Sequence, residues 1–156
     1  MLRSKDVLFQ RTGVSRLMTV LAAPGGVQLV AAAVENNGAA DALVRIVSNA
    51  SVPTARKKGW FTRRRVPTRV PSQQGADPGA DTAVVSRREA RVACAKDAAN
   101  ALRKMAAERA IATAMRSRGS GLAASLLAAS RDEGLDRGVR DTMGEAHALL
   151  IAGEGK

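Results

Sequence analysis

The chain has 156 residues, 46% of them hydrophobic but only 2% aromatic, and its 25 lysines and arginines against 14 acids give a net charge of +11. The apolar share excludes disorder throughout, the length suits one domain, and no apolar run approaches the roughly 20 residues of a membrane-spanning helix. The charge excess points to a polyanionic partner, with nucleic acid ahead of an anionic membrane surface.

Most of the apolar content is alanine, with two Phe, one Trp and no Tyr. Each buried side chain therefore removes little area from water, and the expected core is thin. A thin core leaves little net stability, so part of the order is expected to come from a bound partner. The single cysteine, Cys94, excludes an internal disulfide and is expected to be a small core residue.

Met1-Leu-Arg-Ser-Lys5 is basic and Ser-containing, as mitochondrial transit peptides are, but Asp6 follows at once. A basic arm over residues 1–13 that stays attached and touches RNA is the favoured reading. Residues 14–34 predict helix, turn, helix: Val14, Leu17, Met18 and Leu21 recur at helical spacing, Pro24-Gly25-Gly26 interrupts, and Val27, Val30, Ala31 and Val34 resume. A third helix over 39–50 has Leu43, Ile46, Val47 and Ala50 on one face and ends before Pro53.

Residues 54–71 change character, because Phe61, Thr62, Val66 and Val70 are strand formers and Lys57-Lys58-Gly59 supplies a turn. The expectation is a protruding basic β-hairpin, followed by an exposed loop over about 72–85 that holds turn formers and no large apolar anchor. Ser86-Arg-Arg-Glu89 has capping-box spacing, so a long helix is expected from there to about Arg116. Further helices are expected at about 122–131 and from Thr142-Met-Gly-Glu145, a second capping-box spacing. The fold class is mainly α: a single helical domain of about six helices over 14–156, with one hairpin.

From Ala42 to Ala76 there is no acid, while Arg45, Arg56, Lys57, Lys58, Arg63, Arg64, Arg65 and Arg69 supply eight positive charges. Alternate strand residues face opposite sides, so cations would lie on both faces of the ribbon, an arrangement suited to enclosure by phosphates. Arginine forks take phosphate oxygens bidentately, and Trp60 beside them offers a plane for an unpaired base. A basic edge strand that merely resists aggregation needs only a few charges, whereas seven lie within residues 56–69. Arg87 and Arg88, at the expected helix start, would add a phosphate clamp supported by the dipole, against ordinary exposure as the alternative. Arg116, Arg118, Arg137 and Arg140 offer a second, more dispersed basic surface, partly neutralised by Asp132, Glu133, Asp136 and Asp141.

Catalysis finds little to work with. The only His is His147 and the only Cys is Cys94, their separation matches no metal-ligand spacing, and neither Gly25-Gly26 nor Gly119-Ser-Gly121 has the context of a nucleotide loop. No enzyme activity, cofactor, metal or small-molecule substrate is expected.

Several segments, in order, resemble the ribosomal small-subunit protein seven family. Val14-Ser-Arg-Leu-Met18 and Leu29-Val-Ala-Ala-Ala-Val34 resemble its first helix and the opening of its second. Gly59-Trp-Phe-Thr-Arg-Arg-Arg-Val-Pro-Thr-Arg-Val70 is similar to its Gly-Gly-Ala-Thr-Tyr-Gln-Val-Pro-Val-Glu-Val hairpin. Met115-Arg-Ser-Arg-Gly-Ser-Gly121 and Arg140-Asp-Thr-Met-Gly-Glu-Ala-His147 look like its last two helices and their connections.

The resemblance, over about 14–150, implies a helical domain bound to the three-prime major domain of small-subunit ribosomal RNA, beside neighbouring proteins of the subunit head. It implies RNA contacts from Arg63, Arg64, Arg65 and Arg69, with Arg140 and His147 on the terminal helix. The hairpin Tyr is Arg here, the aromatic C-terminal arm is missing, and the segment 72–99 is longer than the family's connection; alternatively Ser86 opens the family's fourth helix and the insertion lies later. Such erosion resembles a mitochondrial ribosomal protein, with another organellar or a cytoplasmic ribosome as the alternative. Charge alone also fits a helical DNA-binding or nucleoid-type protein, and a helical adaptor would leave the basic segment without a role.

Overall fold

The computed structural model describes Leu2, residues 6–51 and residues 78–153, with the side chains of 78–86 and of Ser120 left aside. Seven α-helices and no strand occur among the described residues. The mainly helical expectation therefore holds, while the hairpin expected at 54–71 lies outside the described residues.

Helix α1 spans Val7–Ala22 and starts earlier than its apolar pattern suggests. Asp6 is the N-cap: the Leu8 amide donates to its carboxylate at 2.8 Å, so a residue that looked like an interruption of a basic arm is the start signal of a helix. Val7 packs against the core two turns before the buried Val14, and the expected arm over 1–13 is thus helical from residue 7.

Helix α2 covers Gly26–Asn37 and α3 covers Ala39–Ser48. One residue, Gly38, joins them. Its φ of 62° is left-handed, its amide bonds back into the last turn of α2, and its carbonyl accepts from Ala42 at 3.1 Å in the first turn of α3. Helix α3 is the most enclosed: Ala39, Ala40, Ala42, Leu43, Val44, Ile46 and Val47 are all buried.

Helix α4 runs from Pro78 to Ala107, so the loop expected over about 72–85 is helical from residue 78 onward. Proline suits a first helical position, where its missing amide would have had no partner. Ser86 is consequently an interior residue of α4 and not its cap.

The long helix expected to reach Arg116 breaks at Glu108, whose backbone is extended (φ −83°, ψ 114°), and α5 resumes over Arg109–Ser117. Hydrophobic phase explains the break. Leu102 and Met105 are buried, and an unbroken helix would turn Arg109 and Arg116 to the same face; the break presents Ile111, Ala112, Ala114 and Met115 instead.

Helix α6 spans Ser120–Ser130, and α7 spans Arg137–Ala152. The start of α7 precedes the expected Thr142. Asp136 caps it by accepting from the Gly138 amide at 3.0 Å, while the Thr142 hydroxyl donates to the Gly138 carbonyl at 2.8 Å within the helix.

Helix α4 is the spine, packing against α1, α3, α5 and α7, while α7 also packs on α6 and α2 on α5. The core formed between them contains Val14, Val30, Val34, Leu43, Leu102, Met105, Ile111, Met115, Leu126 and Met143 interleaved with alanines. No polar or charged residue is buried among the described residues, and Phe9, the one aromatic residue among them, is 55% exposed. The core is thin in the sense the composition predicts, and Cys94, 1% exposed, lies within it.

Candidate nucleic-acid interface

Cations of the helical body divide into those with protein partners and those without. Arg118 is fully engaged: Nη1 donates to the carbonyls of Val34 at 3.1 Å and Glu35 at 2.8 Å, and Nε lies 3.3 Å from the Asp41 carboxylate. It closes the C-terminus of α2, where carbonyls lack intrahelical partners and the dipole favours a cation. Arg116 does the same for α7, donating to the Leu150 carbonyl at 3.0 Å. The sequence assigns these two arginines to a dispersed basic surface; the geometry makes them helix caps.

Arg11 pairs with Asp97, Lys96 with Asp136, Arg103 with Glu145 and Arg137 with Asp141, all exposed pairs of small energetic weight. Arg45, Arg87, Arg88 and Arg91 make no ion pair or hydrogen bond to a described side chain or carbonyl, and all four are exposed.

Two of these cations face one depression. A groove of about 820 Å³ runs along α3 and is lined by Arg45 of that helix, by Asn49 and Ala50 just after it, and by Arg91 and Cys94 of α4. Val7, Ala42 and Ile46 contribute apolar surface beside the polar Gln10, Asn49 and Ser125, and the Asp41–Arg118 pair also lines it. Asn49 and Ala50 follow α3 directly and precede the cations that begin at Arg56, so groove and basic segment are contiguous along the sequence.

The sequence-derived site residues fall in three places. Arg56, Lys57, Lys58, Trp60, Arg63, Arg64, Arg65 and Arg69 lie outside the described residues. Arg87 and Arg88 are exposed on α4 but more than two turns beyond Pro78, so the helix-dipole clamp expected of them does not form. Arg87 precedes Arg91 by one turn on the same stripe, whereas Arg88 lies beside Val92 and Lys96 in a second, shallower hollow.

Arg140 and His147 lie two turns apart on α7, both half-buried and neither on the groove. Arg140 Nε is buried without a hydrogen-bond partner among the described residues. Arg91 was not singled out on sequence; its spacing of four from Arg87 was the available signal.

Among the described residues no group of three or more His, Cys, Asp or Glu could hold a metal ion, and no helix is long and apolar enough to cross a membrane. The Cys94 thiol is pushed above its ordinary range by burial, with the Asp97 charge adding to the shift and Arg11 opposing it. A buried thiol of that kind is a poor nucleophile.

The described residues form an α-helical domain of nearly balanced charge. No family model, curated protein or solved structure matches the chain.

Proposed function

We propose that this chain is a structural protein of the small ribosomal subunit, a diverged mitochondrial-type member of the protein seven family that binds ribosomal RNA in the subunit head. The observation that carries this reading is where the charge lies. Residues 6–51 hold three cations against three acids, and residues 78–153 hold twelve against nine, whereas residues 52–77 hold seven against one. A domain that needed cations only for solubility would spread them; here the excess is gathered into one short segment.

In this reading Arg63, Arg64, Arg65 and Arg69, with Arg56, Lys57 and Lys58, neutralise phosphates where RNA segments converge, and Trp60 stacks on an unpaired base. Arg87 and Arg88 extend the basic track along α4, and Arg140 and His147 offer a contact from α7. The role is positional, supporting folding of the head and hence translation, with no bond made or broken.

Crosslinking and sequencing of bound nucleic acid from cells, combined with sedimentation, tests the reading. Co-migration with small-subunit particles and crosslinks in three-prime-domain ribosomal RNA are the expected result. Recovery of genomic DNA instead would replace it with a nucleoid-type role, and recovery of neither would remove nucleic acid from the function.

A further inference from the structure

Resting on the RNA-binding reading, we infer that the α3–α4 groove is a second RNA site, distinct from the basic segment, that takes one unpaired nucleotide with its phosphate between Arg45 and Arg91. Four observations converge on it. The volume, about 820 Å³, lies within the range of small-molecule sites and admits a nucleotide. The two guanidinium groups come from different helices, line the same groove and have no partner among the described residues, so each keeps its fork for an anion.

The third cation on the wall, Arg118, is neutralised by Asp41, which leaves the net positive charge of the lining with Arg45 and Arg91. The rest of the lining mixes apolar side chains, Val7 and Ala50, with the polar Gln10, Asn49 and Ser125, which gives a base both a surface to rest on and groups to hydrogen-bond its edge. A duplex cannot enter such a site without flipping a nucleotide out of its stack. The groove therefore selects single-stranded or looped RNA, while the basic segment contributes charge to any RNA.

The test uses the full chain and two labelled probes, a ten-nucleotide single-stranded RNA and a blunt RNA duplex, measured by fluorescence anisotropy across a salt series. Arg45→Gln with Arg91→Gln replaces exposed side chains and leaves the helices in place, as circular dichroism would verify. That variant should bind the single strand at least about tenfold more weakly and flatten its logarithmic salt slope by about 0.7, one phosphate, with duplex affinity within about twofold of wild type. The separate variant Arg63→Gln, Arg64→Gln, Arg65→Gln should weaken both probes.

An equal loss on both probes from the groove variant, or no loss on either, would overturn the inference while RNA binding itself stood. Failure of the wild-type chain to bind either probe would overturn the RNA-binding reading and the groove site with it.

Discussion

Arg118 donates from Nη1 to the carbonyl oxygen of Glu35 at 2.8 Å, tying together positions 83 residues apart in the chain. The contact satisfies the end of α2 from the end of α5, and Arg116, two residues earlier, reaches the opposite way to the Leu150 carbonyl of α7. Side chains that count toward a basic surface in the sequence are thereby used as ties between helices.

Arg118→Ala should lower stability by about 1–2 kcal/mol, since it strips charge-assisted bonds from two helix-terminal carbonyls at a partly exposed site. Arg118→Lys should recover only part of this, because a point charge cannot fork between carbonyl and carboxylate. Urea denaturation measures both. The salt slope of RNA binding should stay close to wild type in the folded variants, while Arg118→Ala should weaken single-strand binding because it leaves Asp41 unneutralised on the groove wall; a slope reduced by about 0.7 would place Arg118 on a phosphate instead.

Adjacent glycines in the α1–α2 turn should respond differently to alanine. Gly25 has φ of 76° with open space around the added carbon, so Gly25→Ala should cost about 1 kcal/mol of backbone strain. At Gly26 an added Cβ collides with the Val20 carbonyl, a backbone atom that moves only if α1 and α2 separate. Gly26→Ala should cost more than about 2 kcal/mol, and thermal unfolding of the pair gives the order.

Cys94 should be inert to thiol reagents at neutral pH, and its burial sets a pH dependence. Its folded-state pKa is raised, first by desolvation, so the protonated thiol is the form the fold accepts. The sign follows: this contribution is complete below the ordinary thiol range and is lost as pH rises through the higher folded value. Stability should therefore decline in alkali less steeply in Cys94→Ala than in wild type. At neutral pH, Cys94→Ser should be the worse replacement, losing about 1–3 kcal/mol by burying a hydroxyl without a partner.

Replacing Arg63, Arg64 and Arg65 with Gln should flatten the salt dependence of RNA binding by roughly two, close to 0.7 for each single-strand phosphate contact. An unchanged slope would take these residues off the interface.

The thin core predicts a protein that unfolds alone at low denaturant and is protected when its RNA is bound. Hydrogen exchange with and without RNA measures this, and full protection in the free chain would contradict it.

Much of the helical plan was legible because its cues are local. Val14, Leu17 and Met18, then Val30 and Val34, then Leu43 and Val47 mark α1 to α3 by spacing alone, and Pro24-Gly25-Gly26 and Gly38 mark their junctions. The starts of α4 and α7 are masked in the sequence because Ser86 and Thr142 imitate caps, while α4 begins at Pro78 and Asp136 caps α7. The break at Glu108 was visible only as a change of phase between Met105 and Ile111. Of the candidate interface, the concentration of charge was plain in the sequence. Which arginines are spent as caps, and which two meet across the groove, depends on contacts distant in the chain and has no local signature.

The enclosure of α3 has a consequence for biosynthesis. Seven of its ten residues are buried, largely against α4 and α6, which follow it in the chain. A nascent chain that has emerged only through Ser48 thus carries an adhesive stripe from Ala39 to Val47 with nothing to cover it until Cys94 to Met105 have been synthesised. Over that interval the growing polypeptide exposes a stripe of the kind that promotes aggregation, and the cationic stretch translated in between supplies charge repulsion against it.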